Sequence, residues 1–463
     1  MKQRIQLNRL TGLALSLVFL FLCLPFAASA EEPTPPSMEE ATSVWFSHIE
    51  SDRLICSKEA DANVGAGSSV KVMAGLLFCE LLQGYLLEEV YITDALLEFV
   101  PPTPGRSLHV EAGDVVTVQQ LLYAAICGSY NDVFYILATY TSGSLDAFLT
   151  LMNERAVELG VSQTTFMDVT GILDGSRTTA ADMAKIAMSA YQNALYMEIS
   201  STVSFPFSSQ KLSKNVYNRN ALVCQYETQK YYHKYCRGIS AGTTTKDGNC
   251  VITVSEYEGE RYLCVVLGGK EIDNIEYGYR VATRLIDWVY DTYTYMEVMS
   301  PNTTVCTIPV TVSDMTTEVS VYAKESLYAY LPRGVEIGKE ITYSIRLNQT
   351  ELEAPVQKNQ FVGYVAVLYD DRVLGTVPLY TADEAVRSSV ISSLKVISSW
   401  SKNRAIRAGV IFFVVAVAAY LTVEYVLYRR RRNKWDRYFS NKVELPDHMR
   451  TQSRSRNDRS GRR

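Results

Sequence analysis

The sequence predicts an α+β domain, with helices clustered against one mostly antiparallel sheet. A small β-sandwich and a C-terminal transmembrane helix follow it. Three observations carry that expectation. Residues 41–296 alternate helix-like and strand-like segments, residues 297–382 are strand-only in texture, and residues 408–428 are an apolar run that ends on "RRRRNK".

The chain begins with Lys2, Arg4 and Arg9, an apolar run from Leu13 to Leu24, and the small triplet Ala28-Ser29-Ala30. That order predicts a secretory signal peptide over 1–30, cleaved after Ala30. Pro25 and the short apolar run disfavour an uncleaved anchor. A Pro-rich linker, "EEPTPPS", fills 31–40. In the main domain, "SVKVMAGLLFCELLQGYLL" (69–87) has helical periodicity and little polar surface, as a central buried helix would. "VTVQQLLYAAICGSYNDVFYILATY" and "LDAFLTLMNERAVELG" predict further helices, the latter closed by Gly160. "NCVITVSEYEGERYLCVVLGG" predicts a hairpin turning at Glu258-Gly259, and "YRVATRLIDWVYDTYTYM" a last helix.

Beyond residue 297, short alternating runs such as "EVSVYA", "EITYSIRL" and "FVGYVAVLYDDRVLGTVPLYT" predict the β-sandwich. Residues 383–407 place Val386, Val390, Leu394 and Ile397 on one helical face, giving an amphipathic juxtamembrane helix. Residues 408–428 would span roughly 31 Å as a helix, about one bilayer core. The basic run behind them predicts a cytoplasmic tail, 429–463, and a single-pass cell-membrane protein with its body outside the cytoplasm.

Charge supports this partition. The tail carries net +9 and the first 30 residues +3, so a whole-chain charge of −5 leaves −17 on residues 31–428. An acidic body argues against nucleic acid as a partner, and the basic tail suits anionic lipid. Eight cysteines lie outside the signal segment, with no CxxC and no regular spacing, so no zinc site and no small disulfide scaffold is indicated. Cys79, Cys127 and Cys264 read as small buried hydrophobes, and a Cys224–Cys236 bridge is left open. His48 and His109 read as surface or loop residues, and no Ser-His-Asp order emerges.

The chemistry-bearing residues begin at Ser68 and Lys71. Their spacing of three puts both on one helix face, where an apolar surround pushes the lysine toward its neutral form and lets it act as a base. The helix N-terminus adds backbone N–H groups for an oxyanion. As a bare pattern SxxK carries little weight, because it recurs at Ser208, Ser392 and Ser399. SxN, found at Ser129-Tyr130-Asn131, recurs likewise. The order is informative: SxxK opens an apolar helix, SxN lies at a helix–helix junction 61 residues later, and "CRGISAGTTTKDG" (236–248) brings a strand with a Gly242 turn, its Ser240 another 111 residues on.

In that order the chain resembles the low-molecular-weight penicillin-binding proteins, the serine-type D-Ala-D-Ala carboxypeptidases of the peptidase S11 type. The resemblance covers about residues 40–385. It includes "GSSVKVMAG", "TVQQLLYAAICGSYND", "LMNERAVELGVSQTTFMDVTGI", "SRTTAADMA" and "NRNALV". It implies a penicillin-binding/β-lactamase-like transpeptidase fold and a place in peptidoglycan biosynthesis. By resemblance, Ser68 is the acylated nucleophile, Lys71 its proton acceptor and Ser129 the relay to the leaving D-alanine. Asn131 holds a substrate amide, and the N–H groups of Ser68 and Thr243 form the oxyanion hole. The partners implied are a peptidoglycan stem pentapeptide and, as covalent inhibitors, β-lactams; no metal or cofactor is implied.

The chain departs from the family at its third motif, Lys-Thr-Gly, where it carries Ser240-Ala241-Gly242. Ser240, Gly242 and Thr243 are therefore the substrate-binding candidates of that wall. Where the family places an arginine ahead of the closing helix, Gly278 aligns, with Arg280 two residues on. Arg237 is expected to face away from Ser240 by strand alternation. Thr243, Thr244, Thr245 and Lys246 are candidates to replace the missing contacts. The leading expectation is a membrane-anchored carboxypeptidase, possessing its acylation apparatus but an altered carboxylate grip. The alternatives are a non-catalytic muropeptide-binding or scaffold protein, and a serine hydrolase of another peptide or ester.

Overall fold

The computed structural model describes residues 33–102, 105–226, 228–313, 315–393 and 404–440. The signal segment 1–30, residues 394–403 of the juxtamembrane segment and the tail from 441 lie outside the described residues. The chain forms two compact units. One holds the described residues up to Val298 with Leu327–Tyr343 and Val367–Gly375; the other holds Met299–Ser326, Ser344–Ala366 and the described residues from Thr376.

The first unit is built on β1 (Ser43–His48), β2 (Arg53–Lys58), the buried helix α1 (Val70–Leu82), α2 (Asn131–Ser142), β3 (Cys236–Thr244), β4 (Gly248–Tyr257), β5 (Glu260–Gly269) and α3 (Tyr277–Thr292). The five strands form one antiparallel sheet in the order β2-β1-β5-β4-β3. Both faces of this sheet are covered. Leu263, Val265 and Leu267 of β5 enter the core around α1, and the intervening Tyr262, Cys264 and Val266 enter a second core against α3. That explains why β4 and β5 read as near-continuous apolar runs rather than alternating ones. Helix α1 is apolar all round because it lies between other helices and the sheet: Val70, Val72, Met73, Ala74, Leu76 and Phe78 are fully buried. The β4–β5 connection turns at Glu258-Gly259, both with positive φ, the geometry of a two-residue hairpin.

Three expectations are corrected here, and the open question of a Cys224–Cys236 bridge is answered. Gly242 does not turn the chain: β3 runs through it, and the hairpin reverses over residues 245–247. His48 is buried, not superficial. It lies among the rings of Tyr262, Tyr295 and Tyr330, with Nε2 3.1 Å from Glu50 and Nδ1 2.8 Å from Ser51, and burial lowers its pKa. Arg237 pairs with Val254 and Ser240 with Ile252, so a bulge in β3 brings both side chains to one face. Cys224 and Cys236 are each free thiols, as are the other described cysteines.

In the strand-only segment, six strands form a sheet in the order Ile341–Leu347, Phe361–Tyr369, Arg372–Thr381, Glu318–Ala323, Thr304–Thr311, Leu352–Glu353. Residues 384–388 are extended, with bridges at Ala385 and Arg387, and residues 389–393 are helical. The C-terminal helix Arg404–Ser440 contains one stretch, Arg404–Lys434, long and apolar enough to cross a membrane.

Candidate active site

Ser68 sits in a single 3-10 turn, Gly67–Ser69, that feeds α1. The next turn of the same helix carries Lys71 beneath it, 8% exposed. The Ser68 hydroxyl donates to the Gly242 carbonyl at 2.8 Å, and the Lys71 ammonium donates to Ser129 Oγ at 2.7 Å and Ser129 O at 3.1 Å. Burial pushes Lys71 down to about 7. The Arg219 and Arg106 guanidinium charges act in the same direction, and Asp168 acts against them.

Ser129 follows a π-helical turn (Tyr123–Cys127) and precedes α2. Its φ of 55° is strained for a residue with a side chain, and such strain costs of order 1–3 kcal/mol. The surround fixes it. Arg106 Nε donates to Gly128 O at 2.8 Å, Tyr130 N donates to Ala124 O, and Asn131 N donates to Arg106 O. The Arg106 loop is itself held by Asp132, whose carboxylate accepts from the N–H groups of Leu108 and His109.

Two glycines set the fit around Ser68. A Cβ on Gly242 would stand 3.0 Å from Ser68 Oγ and 2.9 Å from its Cβ. A Cβ on Gly171, whose φ is +77°, would collide with Gly67 O. Asp168 builds the Gly171 loop by accepting from Tyr135 OH, Thr170 Oγ1 and the N–H groups of Thr170, Ile172 and Leu173.

A cavity of about 490 Å³ joins these parts. Ser68, Lys71, Ser129, Asn131, Gly242 and Thr243 all line it; Ser240, on the same strand, is not among the lining residues. Sequence reasoning did not single out Arg106, Arg219, Asp174 or the Thr170–Ile172 loop, which line it too. Arg219 lay within the quoted "NRNALV", but nothing in the local pattern around Arg106 marked it. A larger cavity of about 800 Å³ lies at the β3–β4 hairpin and holds none of Ser68, Lys71, Ser129 or Asn131, so the smaller one is the candidate site.

The third wall carries no lysine at Ser240 and no arginine at Gly278. Lys246 pairs with Asp174 at 2.7 Å, and Arg237 donates to the carbonyls of Lys234 and Cys236. The Thr243 hydroxyl donates to Glu276, and Asn249 Nδ2 donates to Thr243 Oγ1 at 3.0 Å. Asn249 also abuts Gly278, where a Cβ would stand 2.1 Å from Asn249 Oδ1. Among the described residues, no group of three or more His, Cys, Asp or Glu side chains is arranged to hold a metal ion.

Residues 29–271 match the family described as D-alanyl-D-alanine carboxypeptidase, peptidase S11. The chain belongs to this family. Residues 293–387 match the C-terminal domain of penicillin-binding protein 5. Among curated relatives, D-alanyl-D-alanine carboxypeptidase DacC of Escherichia coli is 28% identical over 365 residues, which are 77% of this chain and 87% of that one. DacF of Bacillus subtilis is 23% identical over 381 residues, 81% of this chain and 94% of that one. The fold is shared with DacD of Francisella tularensis (TM-score 0.57, 20% identity, 77% of this chain and 96% of that one). It is also shared with penicillin-binding protein 5 of Haemophilus influenzae (TM-score 0.55, 21% identity, 77% and 100%). The Ser68–Lys71–Ser129 cluster lies within the matched residues of this family.

Proposed function

We propose that this chain is a membrane-attached serine-type D-Ala-D-Ala carboxypeptidase that removes the terminal D-alanine from peptidoglycan stem pentapeptides. The observation that carries the reading is Lys71: a buried amine, held near neutrality and bonded to Ser129, one helical turn from Ser68. A neutral Lys71 takes the Ser68 proton as Oγ attacks the carbonyl between the two D-alanines. Reaching that carbonyl requires Ser68 Oγ to leave the Gly242 carbonyl. The Ser68 and Thr243 N–H groups stabilise the oxyanion. Ser129 passes the proton to the leaving D-alanine nitrogen, the C–N bond breaks and an acyl-Ser68 ester remains. Water then hydrolyses this ester: Lys71 takes a proton from the attacking water and delivers it to Ser68 Oγ as the acyl–oxygen bond breaks, which restores a neutral lysine and a protonated serine.

The signal segment exports the body, the helix Arg404–Lys434 spans the membrane, and the basic tail stays in the cytoplasm. Asn131, Gly242 and Thr243, which line the cleft, position substrate, and β-lactams acylate the same serine. The test is covalent labelling by a fluorescent penicillin alongside Ser68→Ala. Label on the wild type and none on the variant is expected, together with D-alanine release from a pentapeptide. Wild-type protein that takes up no label and releases no D-alanine sinks the reading.

A further inference from the structure

Three segments supply much of the Ser68 cavity's lining: residues 105–106, the loop 170–174 and the hairpin residues 242–247. The last two rest on a common floor, the turn Gly67–Ser69. A Cβ on Gly171 would collide with Gly67 O, and one on Gly242 would stand 2.9 Å from Ser68 Cβ. At the hairpin tip, a Cβ on Gly67 would stand 3.0 Å from Asp247 Cβ. The same two segments meet a second time, through side chains. Lys246 Nζ lies 2.7 Å from Asp174 Oδ2. These side chains are 64% and 71% exposed, so the pair sits at the solvent edge of the cavity that both residues line. On its other flank the loop packs against the Gly105 segment, where a Cβ on Gly105 would stand 3.3 Å from Ile172 Cδ1. The rim is therefore joined at two places, one by close packing and one by an exposed ion pair. An exposed ion pair separates at little cost and is weakened by salt, so the second junction is the one that can open.

We propose that Asp174 and Lys246 form a specificity-determining latch across the mouth of the cleft. Closed, the latch admits an unbranched peptide end to Ser68; a cross-linked, branched donor reaches the serine only when the pair separates. The identity of the donor rests on the carboxypeptidase reading, whereas the latch itself rests on the geometry of the rim.

Access to position 68 can be read without turnover. Full-length Ser68→Cys protein in detergent is treated with two neutral methanethiosulfonates, one carrying a methyl group and one a bulky aryl group. The introduced thiolate attacks the reagent's thiol sulfur, forms a mixed disulfide and releases the sulfinate. The background rate is taken from protein without Ser68→Cys, whose described cysteines are free and mostly buried. The ratio of bulky to methyl rates cancels any change in the reactivity of the thiol itself. Asp174→Ala and Lys246→Ala are each expected to raise that ratio by about 1.5- to 5-fold, and about 1 M salt to do the same with the pair intact. Asp174→Lys combined with Lys246→Asp is expected to restore the original ratio, a rescue that general loosening of the loops would not give. A linear stem pentapeptide is expected to slow the methyl reagent in every variant, and a cross-linked peptide dimer to slow it more strongly in the two single variants. A ratio unmoved by both single variants, a swapped pair as open as the singles, or a dimer that protects all variants equally overturns the latch. A pentapeptide that protects none of them counts against the carboxypeptidase reading instead, and the rate ratio still decides the latch.

Discussion

Lys71 is the residue on which pH acts. Its pKa of about 7 means that half the sites hold a neutral base at neutral pH, and protonation removes the base below that. The rate of penicillin acylation, followed by stopped flow, is therefore expected to fall about tenfold per pH unit below 7 and to level off above it. Arg219→Gln removes a repelling charge and should move this limb to higher pH. Stability responds in the same direction over a higher pH window. The unfolded chain binds a proton at Lys71 up to about pH 10.5 and the folded one only to about 7, so stability falls as pH drops between those values. At 1.36 kcal/mol per unit this is on the order of 4–5 kcal/mol at neutral pH. Lys71→Met should accordingly raise the melting temperature while abolishing labelling. Ser68–Lys71 and Ser129–Asn131 are each legible as local pairs at helix starts, and the order of the motifs with the family resemblance ties the two pairs together across a separation of 58 residues from Lys71 to Ser129. Arg106 is not, since only the packing of its loop against Ser129 and Asp132 brings it to the cleft.

At the scale of elements, the loop 168–173 and the strand β3 do the positioning. Asp168 gathers five donors, and Asp168→Asn leaves some of them without an acceptor. A loss of about 1–3 kcal/mol in chemical denaturation, with slower acylation, is expected. Gly242→Ala places a methyl group against Ser68 and should reduce acylation strongly with little loss of fold, as labelling and circular dichroism would show together. Helices α1 and α3 and the β4–β5 hairpin could be read from periodicity and turn chemistry. Gly242 could not, because a glycine that ends a strand and one that admits a neighbouring side chain look alike in a sequence. His48 was misread for a related reason: a lone histidine in a strand carries no sign of the tyrosines that later surround it.

At the scale of the whole molecule, an acidic body is joined to one apolar helix and a basic end. Removing residues 404–463 should release the protein from membranes into the soluble fraction while leaving fluorescent-penicillin labelling intact, because none of the described residues in that stretch lines the cleft. Retention in the membrane would place the attachment elsewhere in the chain. The close contact of Gly242 and Gly171 with the turn that carries Ser68 has a different kind of consequence. The nucleophile is seated by main-chain atoms, so the side chains of the neighbouring wall are free to vary without unseating it. Thr244, Thr245 and Lys246, which line the cleft beyond Gly242, thus form a natural library site. Randomising them and selecting for cleavage of new acyl donors should yield altered substrate ranges on an unaltered acylation engine, whereas the same search at 242 or 171 should return only inactive chains.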